Sequence, residues 1–155
     1  MSILQFFKKR FSPQRIVDPD FGSLLYMHIP NAPERSYWEC DWNFPRTGTN
    51  ISISLPGDEN GPWPESREFY FEAVERFDQI LAAVRPKLDE VFIDWLQQEL
   101  PDYIFSAVRL AGFDLQEPRG QPVKWEISFE TTGKKWLCIS IPFEGETAGD
   151  ATVDT

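Results

Sequence analysis

The sequence predicts an α+β domain: an antiparallel sheet of about five or six strands, ordered as a β-meander, two helices and a β-hairpin, with the helical pair packed on one face. Apolar and polar residues alternate on both sides of a central region, where the apolar spacing changes to three or four residues. The chain has 155 residues, of which 41% are hydrophobic and 15% aromatic. This length and composition are typical of one domain with one buried core.

The first half of the chain has the pattern of three consecutive strands. Residues 23–29 form an apolar run that ends at Pro30. In the stretch SYWECDWNF every second residue is apolar, and the alternation resumes in ISISL after a turn that contains Gly48. The residues predicted to face the core are Trp38, Cys40, Trp42, Phe44, Ile51, Ile53 and Leu55.

The central region has the pattern of an amphipathic helix that begins at Pro64. Its apolar positions are Tyr70, Val74, Phe77, Leu81, Val84 and Leu88, and glutamates such as Glu68 and Glu72 lie on the other side. Pro86 predicts that this helix ends or kinks there. A second, shorter helix is predicted from Leu88 towards Pro101.

The last third returns to the pattern of strands. The stretch YIFSAVRLAG suits either a continued helix or a strand. As a strand, it is predicted to contain a bulge at Gly112. The stretch VKWEISFE then alternates throughout, and TTGKK predicts a hairpin turn into WLCISIPF. The residues predicted to face the core in this hairpin are Val123, Trp125, Ile127, Phe129, Leu137, Ile139 and Ile141.

The chain is predicted to have three parts: an N-terminal arm at residues 1–17, one α+β domain at 18–143 and a polar tail at 144–155, with a short strand near Thr152 and Val153. The arm has the pattern of a short basic amphipathic segment. It carries a charge of +4, which leaves −14 on the rest of the chain and −10 overall. The charge is therefore segregated along the sequence.

This acidic balance argues against nucleic-acid binding, which depends on Lys and Arg side chains that neutralise phosphates. It favours a basic protein partner. We identify neither a secretory leader nor a membrane-spanning segment in the sequence, and its two cysteines lie within strand-like runs. The sequence therefore predicts a cytoplasmic protein with reduced thiols.

No catalytic, metal or cofactor site is predicted. His28, the single histidine, has the setting of a structural residue in an apolar strand, and Cys40 shares a face with Trp38 and Trp42, where an apolar environment makes a thiol inert. Two cysteines and one histidine are too few for a structural zinc site. The nucleophile-elbow and phosphate-binding glycine motifs are missing from the sequence.

The stretch GDENGPWP at residues 57–64 has the composition of a turn between a strand and a helix. As a calcium loop it fails, because proline, tryptophan and phenylalanine occupy positions that require a ligand, a glycine and a glutamate. Its glycines and prolines suit a turn, and Pro64 suits the first position of a helix. Asp58, Glu59 and Trp63 are not required by such a turn and are the predicted partner-binding residues.

The order of the motifs DPDFG at 18–22, YWECDWNF, GDENGP at 57–62 and WEISFE resembles an uncharacterised family of small bacterial domains. Members of that family have the patterns D-P-x-F-G and G-D-E-x-G-P, and a glycine is common where this chain has Cys40. The resemblance covers residues 18–143. Because some such domains accompany toxin–immunity systems, it implies an immunity-like or adaptor role.

Three functional hypotheses follow from the sequence. The leading one is a bacterial protein-binding domain without enzymatic activity, immunity-like or adaptor, that binds a basic protein partner through an acidic surface. An alternative is an enzyme of unfamiliar type with carboxylates in a cleft between sheet and helices. A second alternative is a peripheral protein that binds a membrane surface through its N-terminal arm.

Overall fold

A computed structural model describes residues 14–155 as an α+β fold with one mixed, mostly antiparallel sheet. Two helices lie between the fifth and sixth strands, α1 at Pro64–Glu75 and α2 at Phe77–Val91. The strands are β1 (Arg15–Asp18), β2 (Gly22–Met27), β3 (Tyr37–Phe44), β4 (Thr49–Asp58), β5 (Gly61–Pro62), β6 (Val108–Glu117), β7 (Lys124–Thr131), β8 (Cys138–Glu144), β9 (Thr147–Ala148) and β10 (Thr152–Asp154). Their order in the sheet is β1-β2-β3-β4-β6-β7-β8-β10, with β5 beside β4 and β9 beside β8.

The predicted α+β class, the β2-β3-β4 meander and the β7-β8 hairpin are confirmed. The prediction of an antiparallel sheet of five or six strands is wrong in two respects. The described residues contain ten strands: β1, β5 and β9 are too short to show a period in sequence, and β10, the short strand predicted near Thr152 and Val153, also joins the sheet. In addition β4 and β6 are parallel, with Ser52 opposite Gly112, because the two helices return the chain to the same end of the sheet.

The helices cover one face of the sheet and bury an aromatic core. Tyr70 of α1 is fully buried, and its hydroxyl donates a hydrogen bond to the carbonyl of Ser54 on β4. Phe77 of α2 packs edge-on against Phe44 of β3, with the ring centroids 4.9 Å apart. The other side of β3 presents polar residues such as Asp41 to solvent. The fold therefore has two layers, one helical and one sheet.

The division between the helices differs from the prediction. The break occurs at Arg76, whose φ of −99° and ψ of 15° leave the helical region, and Pro86 lies inside α2. Pro86 is on the exposed side of α2, so the carbonyl that loses its N–H partner is not forced into the core. The predicted second helix is the last turn of α2 and a π-helical segment, Phe92–Leu96, that ends at Gln97 with a left-handed φ of 51°.

The motif DPDFG holds α1 against the first two strands. The carboxylate of Asp18 accepts hydrogen bonds from the backbone N–H groups of Asp20 and Phe21, at 2.8 and 3.1 Å. The guanidinium of Arg67 on α1 forms ion pairs with both Asp18 and Asp20 and lies over the ring of Phe21, 5.3 Å from its centroid. These contacts fix the side of α1 that faces β1 and β2, which leaves its other side to face β7 and β8.

Both ends of the described chain belong to the sheet. Strand β1 begins at Arg15 and pairs with β2, and the short strand expected near Thr152 and Val153 is present as β10, paired with β8. The amphipathic arm predicted at residues 1–17 lies mostly outside the described residues. Within residues 14–155, none of the helices has the length and apolarity needed to cross a membrane.

Candidate functional site

The GDENGPWP stretch forms the tight connection between β4, β5 and α1. Strand β5 pairs with the end of β4, so that Gly57 lies opposite Pro62. A Cβ atom on Gly57 would lie 2.3 Å from the carbonyl oxygen of Gly61, and Gly61 itself has a φ of 132°. Pro64 is the first residue of α1, as predicted. The backbone roles predicted for these glycines and for Pro64 are therefore confirmed.

The structure gives Asp58 a role in this turn that the sequence did not reveal. Its carboxylate accepts a hydrogen bond from the N–H of Asn60 at 2.9 Å. Its carbonyl accepts one from the indole Nε1 of Trp38 at 2.8 Å. Glu59 has an exposed side chain, and its carbonyl accepts a hydrogen bond from Nε2 of Gln14 at 2.8 Å. The carboxylate of Asp58 thus stabilises the turn, whereas Glu59 contributes only its backbone carbonyl.

Trp63 faces a different part of the surface from Asp58 and Glu59. The guanidinium of Arg119, in the β6–β7 loop, stacks on its ring at 3.9 Å from the centroid. Nε of the same arginine donates to a carboxylate oxygen of Glu65 at 3.1 Å. Trp63 lines a shallow groove of about 660 Å³ with residues such as Tyr37. The structure therefore does not gather the three predicted binding residues into one cluster.

A second groove, which the sequence did not predict, lies on the far side of the Trp63–Arg119–Glu65 bridge. We call it the α1 groove. It has a volume of about 530 Å³ and lies between the two helices and the adjoining ends of β7 and β8. Its apolar floor includes Phe69, Ile80, Val123, Trp125 and Phe143, and its rim carries Glu65, Glu68, Glu72, Arg76 and Glu146.

The floor of the α1 groove is built from aromatic side chains whose positions are fixed. Trp125 stacks on Phe143 with ring centroids 4.0 Å apart and an interplanar angle of 14°. Phe69 meets Trp125 edge-on at 5.2 Å. The indole Nε1 of Trp125 donates to the carbonyl of Gly145 at 2.9 Å. A floor held in this way requires little rearrangement when a ligand binds.

The rim of the α1 groove is acidic. Glu65, Glu68 and Glu72 are spaced three and four residues apart, which places them on one side of α1. A hydrogen bond from its own backbone N–H, together with that from Arg119, lowers the pKa of Glu65. Glu146 forms an ion pair with Arg76. Both Glu68 and Glu72 are exposed, and among the described residues neither has an ion-pair partner.

The acidic rim of the α1 groove could be predicted from the sequence, but its aromatic floor could not. The period of α1 shows Glu68 and Glu72 on its polar side, which is the pattern of an ordinary solvated helix face. What the sequence did not show is that Trp125 and Phe143, from strands more than fifty positions later, border that face. The groove arises from this long-range packing.

The setting predicted for His28 is wrong, because β2 ends at Met27 and His28 is exposed. Its Nδ1 lies 3.4 Å from Oγ of Ser36. Since Met27 pairs with Tyr37, Cys40 lies several positions along β3 from the level of His28, so the two side chains are not neighbours. Across residues 14–155, no three His, Cys, Asp or Glu side chains are grouped so as to hold a metal ion.

The Cys40 thiol is expected to be unreactive. Burial, with smaller contributions from the carboxylates of Asp41, Asp18 and Glu39, raises its pKa from 9.0 to about 12. At pH 8 a smaller fraction of Cys40 is thiolate in the folded protein than in the unfolded chain, although each thiolate is more nucleophilic because its pKa is higher. The smaller fraction has the larger effect, so alkylation should be slower in the folded protein by roughly 50-fold. Mass spectrometry after timed iodoacetamide labelling measures this ratio, with urea-unfolded protein as the control. Equal rates would contradict the buried setting.

The same shift predicts how Cys40 affects stability at high pH. The folded state holds the proton more tightly than the unfolded state, so the contribution of this thiol is fully present below pH 9 and is lost as the pH rises towards about 12. The variant Cys40→Ala should therefore lose less stability than the wild type over this range.

Comparisons of the chain with protein-family models, with curated proteins and with solved structures found no match.

Proposed function

We propose that the protein is a binding domain, immunity-like or adaptor in role, that engages a basic protein partner through the acidic surface at α1. The observation that carries this proposal is the α1 groove, in which an aromatic floor is bordered by the carboxylates of Glu68 and Glu72. Glu59 and Trp63, which precede α1 and face two other parts of the surface, would supply further contacts to the partner. The immunity-like part of the proposal rests on the sequence resemblance.

An aromatic floor and an acidic rim suit one kind of ligand. Apolar side chains of the partner would pack on Phe69 and Val123, which are partly exposed in the groove, whereas Trp125 and Phe143 are only 4% and 3% exposed and support them from the core. Lysine or arginine side chains beside them would pair with Glu68 and Glu72. Charge of this kind raises the association rate and selects the partner more than it adds affinity. The net charge of −14 on residues 18–155 would attract a basic protein from a distance.

The positions of the carboxylates favour binding over acid–base catalysis. Catalytic carboxylates are tuned by burial or by close pairing with a like charge. Glu68 and Glu72 are exposed at the rim, and the side chain of Glu146 is 74% exposed. The enzyme hypothesis placed carboxylates in a cleft between sheet and helices, and buried carboxylates there would favour it, whereas Glu68 and Glu72 are exposed.

The proposal predicts salt-sensitive capture of basic proteins. Immobilised full-length protein, exposed to a lysate of the source organism, should retain chains with an excess of Lys and Arg. Raising the salt from about 0.05 to about 0.5 M should release them, because screening shortens the range of exposed charges. If the captured proteins stayed bound at high salt, or if they were acidic, the proposal would be wrong.

A further inference from the structure

We propose that the shallow groove between Tyr37 and Trp63 binds a proline-rich segment of a partner protein in the polyproline II conformation, with an arginine or lysine beside the prolines. We call it the Trp63 groove. It lies on the opposite side of the Trp63–Arg119–Glu65 bridge from the α1 groove. The inference therefore does not rest on the proposed function, which concerns the α1 groove.

Two partly exposed aromatic residues, Tyr37 and Trp63, flank Pro56 in this groove. Tyr37 of β3 pairs with Pro56 of β4, and the backbone N–H of Trp63 donates to the carbonyl of Pro56 at 3.0 Å from the other side of β4. By the usual spacing of paired residues, the Cα atoms of Tyr37 and Trp63 are about 10 Å apart or less. One turn of a polyproline II helix covers about 9 Å in three residues. Residues one turn apart in such a segment can therefore contact both rings.

Both aromatic side chains carry hydrogen-bond donors that suit the backbone of a polyproline II segment. Within the described chain, the tyrosine and tryptophan side chains that donate hydrogen bonds are Trp38, Tyr70 and Trp125. The hydroxyl of Tyr37 and the indole N–H of Trp63 thus have no partner among these residues. Because a polyproline II helix has no internal hydrogen bonds, its carbonyl groups can accept from both donors.

The Trp63 groove presents side chains to a ligand and not the edge of a strand. Its floor contains the buried residues Pro56, Leu115 and Pro118. Strand β3 lies between β2 and β4, and β4 lies between β3 and β6, so an added strand would find no free edge there. A polyproline II segment needs no such edge. Since its conformation is largely formed before binding, it also loses little entropy when it binds a shallow groove.

The charged residues of the Trp63 groove favour a basic residue beside the prolines. Glu34, Asp114 and Glu117 line the groove with exposed side chains. Two arginines line it as well, but Arg119 is already paired with a carboxylate of α1, which leaves Arg35 against three carboxylates. The groove therefore carries an excess of negative charge, which attracts a lysine or arginine of the partner.

Nuclear magnetic resonance titration of the ¹⁵N-labelled full-length protein tests the proposal. The probe is the peptide LPPLPPLPPR, and the controls are LAALAALAAR, which lacks the prolines, and LPPLPPLPPE, which reverses the charge. The probe should shift the indole signal of Trp63 and leave that of Trp125, in the α1 groove, unchanged. Each control should bind at Trp63 at least about five-fold more weakly. The proposal would be overturned if Trp63 did not respond to about 1 mM probe, or if either control bound there as tightly as the probe.

Variants of the two aromatic residues supply an independent readout. Tyr37→Phe removes only a hydroxyl and should weaken binding of the probe about five-fold, which corresponds to one hydrogen bond. Trp63→Ala should weaken it at least about ten-fold. Trp136→Ala is the matched control and should bind as the wild type does, because Trp136 is 49% exposed and lines neither groove.

Circular dichroism checks that each variant is folded. If Trp63→Ala did not fold, Tyr37→Phe would decide, since it removes a single oxygen from a partly exposed side chain. Equal affinities of the probe for Tyr37→Phe and the wild type would overturn the proposal, as would an equal loss in Trp136→Ala.

Discussion

Replacing Gly112 with alanine is expected to destabilise the protein by about 3 kcal/mol or more. The reason is the parallel contact between β4 and β6, where Gly112 lies opposite Ser52. A Cβ atom on Gly112 would lie 2.2 Å from the backbone oxygen of Ser52, a distance that requires the strands to separate. For a chain of this length the midpoint of thermal unfolding should fall by roughly 6–12 °C, which circular dichroism measures.

Gly133 provides the matched control. It lies in the β7–β8 turn, and a Cβ atom there would have no neighbour within 4 Å. Gly133→Ala should change the free energy of unfolding by no more than about 0.5 kcal/mol. If Gly112→Ala were as stable as Gly133→Ala, the close approach of β4 and β6 would be wrong.

The double variant Glu68→Lys/Glu72→Lys is expected to lower the affinity for a captured basic partner by about 30-fold, or about 2 kcal/mol. Each substitution replaces a negative carboxylate at the rim of the α1 groove with a positive ammonium group, which repels the partner's Lys and Arg side chains. Both side chains are exposed, so the fold should be retained. Isothermal titration calorimetry at low salt measures the affinity, and the difference should shrink as salt is added.

A matched variant separates a local effect from a change in net charge. Asp41 lies on the outer face of the sheet, and Glu90 lies on α2 outside the residues that line the groove; both are exposed. Asp41→Lys/Glu90→Lys changes the net charge by the same amount and should lower the affinity only a few-fold. Equal losses in the two double variants would show that overall charge, and not the groove, determines binding.

The strands that form the middle of the sheet could be predicted from sequence because their periodicity is local. In β7 the fully buried residues Ile127 and Phe129 alternate with partly exposed ones, as the sequence predicted. The bulge predicted at Gly112 is also confirmed, by a shift in the β6–β7 register between Leu110 and Gly112. Alternation of this kind reports which face of a strand is buried.

Features that depend on distant contacts could not be predicted. The parallel pairing of β4 with β6 is determined by where the helices return the chain, and the spacing of apolar residues carries no information about that. The break at Arg76 has no proline or glycine to mark it, while Pro86 lies at an exposed position that α2 tolerates. Pro86 was the local signal for a helix end, but packing of α2 on the sheet keeps the helix continuous through it.

In the candidate site, too, local features could be predicted from the sequence and features that depend on distant contacts could not. The turn at residues 57–64 was predicted because glycine and proline act through their own backbone angles. Asp58 accepts a hydrogen bond from Asn60 within the turn, whereas Trp63 stacks with Arg119 of the β6–β7 loop. Asp58 and Trp63 therefore face different parts of the surface although they are close in sequence. The α1 groove joins a helix to strands much later in the chain, so only the folded structure reveals it.

Nuclear magnetic resonance shows whether the α1 groove binds a basic segment. The probe is a short amphipathic peptide of leucine and lysine, added to the ¹⁵N-labelled full-length protein, with a leucine–glutamate peptide as the control. The indole N–H signals serve as reporters, because Trp125 lies in the groove floor and Trp136 lies at the opposite end of the β7–β8 hairpin, 49% exposed.

We expect the lysine peptide to shift the indole signal of Trp125 and the amide signals of Glu68 and Glu72, and to leave the signal of Trp136 unchanged. Shifts at Trp136 and at the exposed Trp95, with Trp125 unchanged, would mean that the peptide binds at the other end of the sheet and not in the α1 groove.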